Sequence, residues 1–116
     1  MKEADLRSFP ATIDTGDATL QGDVVLPGGA RGIVLFAHGS GSSRFSTRNR
    51  HVANHLVAGA LGTLLFDLLT ADEEVRDQRD ASLRFDIDLL TGRLAGATRW
   101  LERQPWAANL KRGYFG

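Results

Sequence analysis

The sequence predicts an α/β chain, with an antiparallel hairpin leading into a mainly parallel sheet flanked by helices. Three observations carry that prediction. The first is Gly32-Ile33-Val34-Leu35-Phe36-Ala37-His38-Gly39-Ser40-Gly41-Ser42-Ser43, where a continuous apolar run breaks into a Gly/Ser loop. Such a run, rather than an alternating one, is expected of a parallel strand covered on both faces. The second is the order of elements: two antiparallel strands, then strand, helix, strand, helix, strand, which implies a parallel sheet with helices on both faces. The third is a helical stripe of Leu83, Ile87, Leu90, Leu94, Ala97 and Leu101, spaced by fours and threes.

Each element has its own local signal. Phe9 to Ile13 reads as the first strand and Thr15-Gly16-Asp17 as a turn. From Thr19 to Leu26, Leu20, Gly22, Val24 and Leu26 share one face and Gln21, Asp23 and Val25 the other. Pro27-Gly28-Gly29 ends that strand, and the anchoring one follows at 32–37. Ser46 or Thr47 can cap a helix carrying Val52, Ala53, Leu56, Val57 and Ala60, with Gly59 and Gly62 at its end. Leu61 to Phe66 reads as a buried strand ending in Asp67. Thr70 to Asp80 mixes both charge signs and reads as a solvated loop. Ser82 is the expected cap of the long helix, which Gln104-Pro105 stops. Gly113-Tyr114-Phe115-Gly116 reads as the end of one more strand.

The 116 residues fit one domain or part of one, and an apolar content of 42% argues against disorder. With 14 basic and 14 acidic residues, no net field recruits nucleic acid or an anionic membrane. The lack of cysteine excludes disulfides, thiolate metal sites and a Cys nucleophile. Met1-Lys2-Glu3-Ala4-Asp5 is not a signal peptide, and no apolar run reaches the length of a membrane span, so a cytoplasmic protein is expected.

A strand, a Gly-rich turn and a helix start make a ready anion site, because backbone N–H groups and the helix dipole point the same way. The surrounding words are Leu35-Phe36-Ala37-His38-Gly39-Ser40-Gly41-Ser42-Ser43-Arg44, Arg48-Asn49-Arg50, Leu64-Leu65-Phe66-Asp67-Leu68-Leu69-Thr70, Arg84-Phe85-Asp86-Ile87 and Gly113-Tyr114-Phe115-Gly116. Together they resemble the N-terminal half of an α/β-hydrolase, in the dienelactone-hydrolase-like branch. The resemblance implies one partial domain over 1–116, about half of a family catalytic domain. It implies a serine-dependent hydrolase acting on an ester, lactone or similar acyl bond, with a small-molecule substrate and no cofactor or metal. Gly116 stands where the first glycine of the Gly-x-Ser-x-Gly elbow belongs, so the nucleophile is expected two residues after it, with the acid and catalytic His later still. No serine of this chain fits that motif, and the chain alone is expected to be inactive.

The resemblance makes Gly39, Ser40 and Gly41 half of an oxyanion hole, with the Ser40 amide as donor. It makes His38 and Asp67 structural supports of that loop. Arg44 is the arginine expected nearest the substrate; Arg48 and Arg50 read as solvated charge or as partners of Asp67 or Asp86. A phosphate-binding reading of Gly39-x-Gly41 is weakened because Arg44 occupies the third glycine position and no Walker lysine is present. His51 and His55, four apart, read as a solvated pair, since Val52 stands where a zinc-protease helix needs glutamate. Trp100 and Trp106 read as packing for the long helix. A binding or self-associating module is the alternative function, because a half-sheet leaves an open edge that invites pairing.

Overall fold

The computed structural model describes residues 6–38, 44–83 and 86–116. Its strands are β1 (Arg7–Asp14), β2 (Thr19–Leu26), β3 (Gly32–His38), β4 (Gly62–Asp67) and β5 (Lys111–Phe115). Its helices are α1 (Thr47–Ala58), α2 (Ala71–Asp80) and α3 (Ile87–Glu102), with a 3-10 turn at Pro105–Ala107. The strands form one sheet in the order β1-β2-β4-β3-β5. β1 and β2 pair antiparallel, β2 joins β4 antiparallel, and β3 lies parallel to both β4 and β5.

The continuous apolar runs become the inner strands because both sheet faces are covered. On one face Leu20, Val24, Leu35, Leu64 and Phe66 pack under Ala97 and Leu101 of α3. On the other Phe36 and Leu65 meet Ala53 of α1, with Val52, Leu56 and Phe115 beside them. Burying each such large side chain contributes roughly 1.5–3 kcal/mol, so these layers set the position of everything at the sheet edges. Trp100 and Trp106 close the first layer, with ring centres 6.3 Å apart, and Trp106 meets Phe9 edge-on at 5.4 Å.

The helix starts follow from capping. Ser46 caps α1 by accepting the Asn49 N–H, and Gly59 closes its end by donating to the carbonyls of His55 and Leu56. Gly62 lies beyond that end and opens β4, where a Cβ would stand 2.9 Å from Leu26 Cδ1.

Two expectations are corrected. The charged segment after Thr70 is the helix α2, not a loop. Thr70 and Glu73 form a reciprocal capping box, Asp72, Glu73 and Glu74 sit in the first turn, and Arg79 sits in the last, so the charges follow the helix dipole. The long helix is capped by Asp86 rather than Ser82: Asp86 Oδ1 accepts the Leu89 N–H at 3.0 Å. Ala81 ends α2 in the left-handed region (φ 57°), and the Leu83 N–H turns back to Asp77 Oδ1 at 3.1 Å. Leu83 is therefore outside the helix, and Ile87, its first residue, is 69% exposed.

α3 crosses the β1–β2 turn at Gly96, where a Cβ would stand 2.7 Å from Thr15 Cβ. Gly92, one turn earlier, faces open space. Gly92→Ala should stabilise the chain by about 0.5–1 kcal/mol through helix propensity. Gly96→Ala gains the same propensity, but the clash with Thr15 costs about 1–3 kcal/mol and should outweigh it. Urea unfolding followed by circular dichroism checks the opposite signs.

Candidate functional site

Ligand sites in open α/β sheets gather at the carboxyl ends of the parallel strands. Here β3 and β4 end side by side, with His38 paired to Asp67. Asp67 also takes the chain on its return from the Gly/Ser stretch. The Arg44 N–H donates to Asp67 Oδ1 at 2.7 Å, and Arg44 Nη1 forms a charged hydrogen bond with Oδ2 of the same carboxylate. One aspartate thus holds both flanks of the 39–43 segment. Gly39, Ser40 and Gly41 themselves lie outside the described residues.

Arg44 is in turn held by its surroundings. Its Nε lies 3.4 Å from Asp23 Oδ2, and Arg50 of α1 donates to the same Asp23 oxygen at 2.7 Å. Arg50 Nε donates to the Arg44 carbonyl at 2.9 Å. Both guanidiniums lie over the Phe45 ring, at 4.3 and 5.3 Å from its centre, although Phe45 is 62% exposed. Two arginines face two aspartates, so the cluster carries no net charge. Arg44, expected beside the substrate, has its guanidinium engaged by two carboxylates. Asp86 takes no part in this group and caps α3 instead.

On the opposite sheet face a second polar group secures the same edge. Arg93 of α3 is buried, with 4% of its side chain exposed. It donates to Asp17 Oδ2 (2.9 Å), to the Leu68 carbonyl (2.8 Å) and to both oxygens of Glu73 (2.8 and 2.9 Å). The β1–β2 turn, the end of β4, α2 and α3 therefore meet on one guanidinium. Hydrogen bonding to Arg93 lowers the Asp17 pKa, and the Glu73 carboxyl falls to about 2, chiefly through Arg93 against the opposing effect of burial. Arg93 itself is raised by Glu73.

Sequence reasoning missed Asp23, Phe45 and Arg93. The alternation of β2 puts Asp23 on a face but does not say which helix covers it. Arg93 did leave a signal, because it stands three residues after Leu90 and four before Ala97, inside the apolar stripe. Among the described residues no group of three or more His, Cys, Asp or Glu side chains is placed to hold a metal ion, and no helix is long and apolar enough to cross a membrane.

The chain superposes on a dienelactone hydrolase from Anabaena variabilis with a TM-score of 0.93 and 54% identity, over 97% of this chain and 52% of that one. The chain belongs to the α/β-hydrolase superfamily, in its dienelactone-hydrolase-like branch. A cold-adapted esterase from an Arctic intertidal metagenomic library shares the fold, with a TM-score of 0.67 at 13% identity over 98% of this chain and 51% of that one. Two Mycobacterium tuberculosis proteins, provisionally named phosphoribosyl transferases, are 49% identical over 111 residues, which is 96% of this chain and 24% of theirs. This α/β-hydrolase chain thus spans about half the length of the Anabaena structure and about a quarter of those curated relatives. No family model matches it.

The Arg93–Glu73 contact predicts an acid limb of stability. The folded pKa of Glu73 lies below its ordinary value of 4.5, so its contribution is present above pH 4.5 and is lost as the pH falls toward about 2. Stability measured by urea unfolding should decline across that window, and Glu73→Gln should flatten the decline while lowering stability at pH 7.

Proposed function

We propose that this chain is one part of a catalytic domain whose serine-dependent chemistry cleaves an ester, lactone or similar small-molecule acyl bond. The single observation that carries the reading is the double attachment of the 39–43 flanks to Asp67 at the carboxyl end of β3. Acyl transfer places negative charge on a carbonyl oxygen, and donors fixed before the reaction stabilise that charge without reorganising. In this reading the Ser40 amide is one donor, Gly39 and Gly41 shape its approach, and His38, Asp67 and Arg44 hold the flanks.

The neighbouring strand supports the same reading. β5 pairs with β3 up to Phe36↔Phe115, and a Cβ at Gly116 would stand 3.6 Å from the Ala37 carbonyl. A nucleophile two residues beyond Gly116 would therefore emerge next to the proposed donor loop. The pairing of one loop amide with the amide after the nucleophile is the arrangement that α/β-hydrolases use for the oxyanion. The balanced charge of the Arg44 cluster favours this reading over phosphate capture. The domain as a whole is proposed to act in the cytoplasm without a cofactor, and the free edge of β5 is proposed to receive further sheet, from the same polypeptide or from a second copy.

The name of the Mycobacterium relatives raises a transferase reading. We assign the activity their name describes to the part of those proteins that this chain does not cover, because the matched stretch has here an α/β-hydrolase fold.

The test extends the chain with the corresponding second half of the Anabaena relative and assays p-nitrophenyl acetate. The extended protein should turn over the ester, and the 116-residue chain should not. Ser40→Pro in the extended protein removes the donor N–H and should lower kcat about 10²–10³-fold. Serine-hydrolase turnover by the chain alone, or a folded extended protein indifferent to Ser40→Pro, would overturn the assignment.

A further inference from the structure

The geometry of α1 points to a transition-metal site on its outer face, formed by His51 and His55, and we propose that it binds Ni²⁺, Cu²⁺ or Zn²⁺ through the two imidazoles. The pair belongs to none of the machinery described above. Residues four apart on a helix project from the same face, one above the other. Both histidines are exposed, and their ring centres stand 4.8 Å apart with the planes at 80°.

That separation falls within the range a shared ion allows. With metal–nitrogen bonds of about 2.1 Å, each ring centre lies roughly 3.2 Å from the ion, and ligand angles of about 90–110° separate the two centres by about 4.5–5.2 Å. The helix therefore presents the rings at a centre-to-centre distance that a shared ion allows, and rotation about the side-chain torsions aims a nitrogen of each ring at it. His51, Asn54, His55 and Ala58 line one surface depression of about 210 Å³. The Asn54 carbonyl oxygen is the nearest further ligand in sequence, and water completes the coordination.

Imidazole ligands suit nickel, copper and zinc, and a two-nitrogen site follows the usual affinity order, with copper tightest. Magnesium and calcium prefer full oxygen shells and are excluded. Arg48 is exposed one turn before His51, and its charge opposes a cation, so the expected affinity is modest. Two imidazoles also leave coordination positions open, so a histidine from another polypeptide can join the same ion.

The experiment is calorimetric titration of the untagged 116-residue chain with NiCl₂ and ZnCl₂, beside His51→Asn and His55→Asn. The intact chain should bind one ion per chain, and each single variant should weaken binding roughly tenfold or more while keeping its circular dichroism spectrum. Arg48→Ala should tighten binding. Absence of saturable binding at millimolar metal, or equal binding by the intact chain and both variants, would overturn the proposal.

Discussion

The carboxylate of Asp67 is the contact on which the rest of the edge depends. Strand pairing brings it beside His38, and its two oxygens reach the backbone and guanidinium of Arg44. His38 and Arg44, the residues on either side of 39–43, are thereby both tied to this one aspartate. An ionised acceptor suits that task, because charge-assisted hydrogen bonds are stronger and more directional than neutral ones. Asp23, Arg50 and Phe45 then hold Arg44 from the other side, so the attachment does not rest on a single swinging side chain.

Arg93 does for the opposite face what Asp67 does for this one, under different physical conditions. It is nearly buried, and it joins elements far apart in sequence through Asp17, Glu73 and the Leu68 carbonyl. Desolvation offsets much of the attraction in such a pair, so its effect is better understood as fixing α2 and the hairpin turn in one arrangement than as adding net stability. The apolar layers supply the stability and the two polar clasps supply position. Both clasps lie at the carboxyl edge, where the fold places its chemistry.

Much of this architecture could be read from local pattern. The bounds of β2 at Thr19 and Leu26, a cap at Ser46 or Thr47, of which the structure uses Ser46, and the burial of β3 and β4 all follow from spacing and turn chemistry. α2 could not be read that way, because its inward side chains are Glu73 and Asp77, and a helix with a polar inner face has no apolar stripe. The start of α3 was obscured because Leu83 and Ile87 continue the fourfold spacing by coincidence, while the capping choice between Ser82 and Asp86 depends on how α2 ends. Strand order is not a local property at all, and with it went the meeting of Asp23 with Arg50. Family resemblance led to the expectation that His38 and Asp67 support the candidate loop, and the structure shows Asp67 bonded to Arg44.

The most direct measurement of the Asp67 attachment is amide hydrogen exchange at Arg44. The account predicts that this N–H, though it lies in a turn, exchanges as slowly as amides in β3. Asp67→Ala should release it selectively while Ile33 to Ala37 keep their protection. An Arg44 amide exchanging at the unprotected rate in the unaltered chain, or one indifferent to loss of the Asp67 carboxylate, would contradict it.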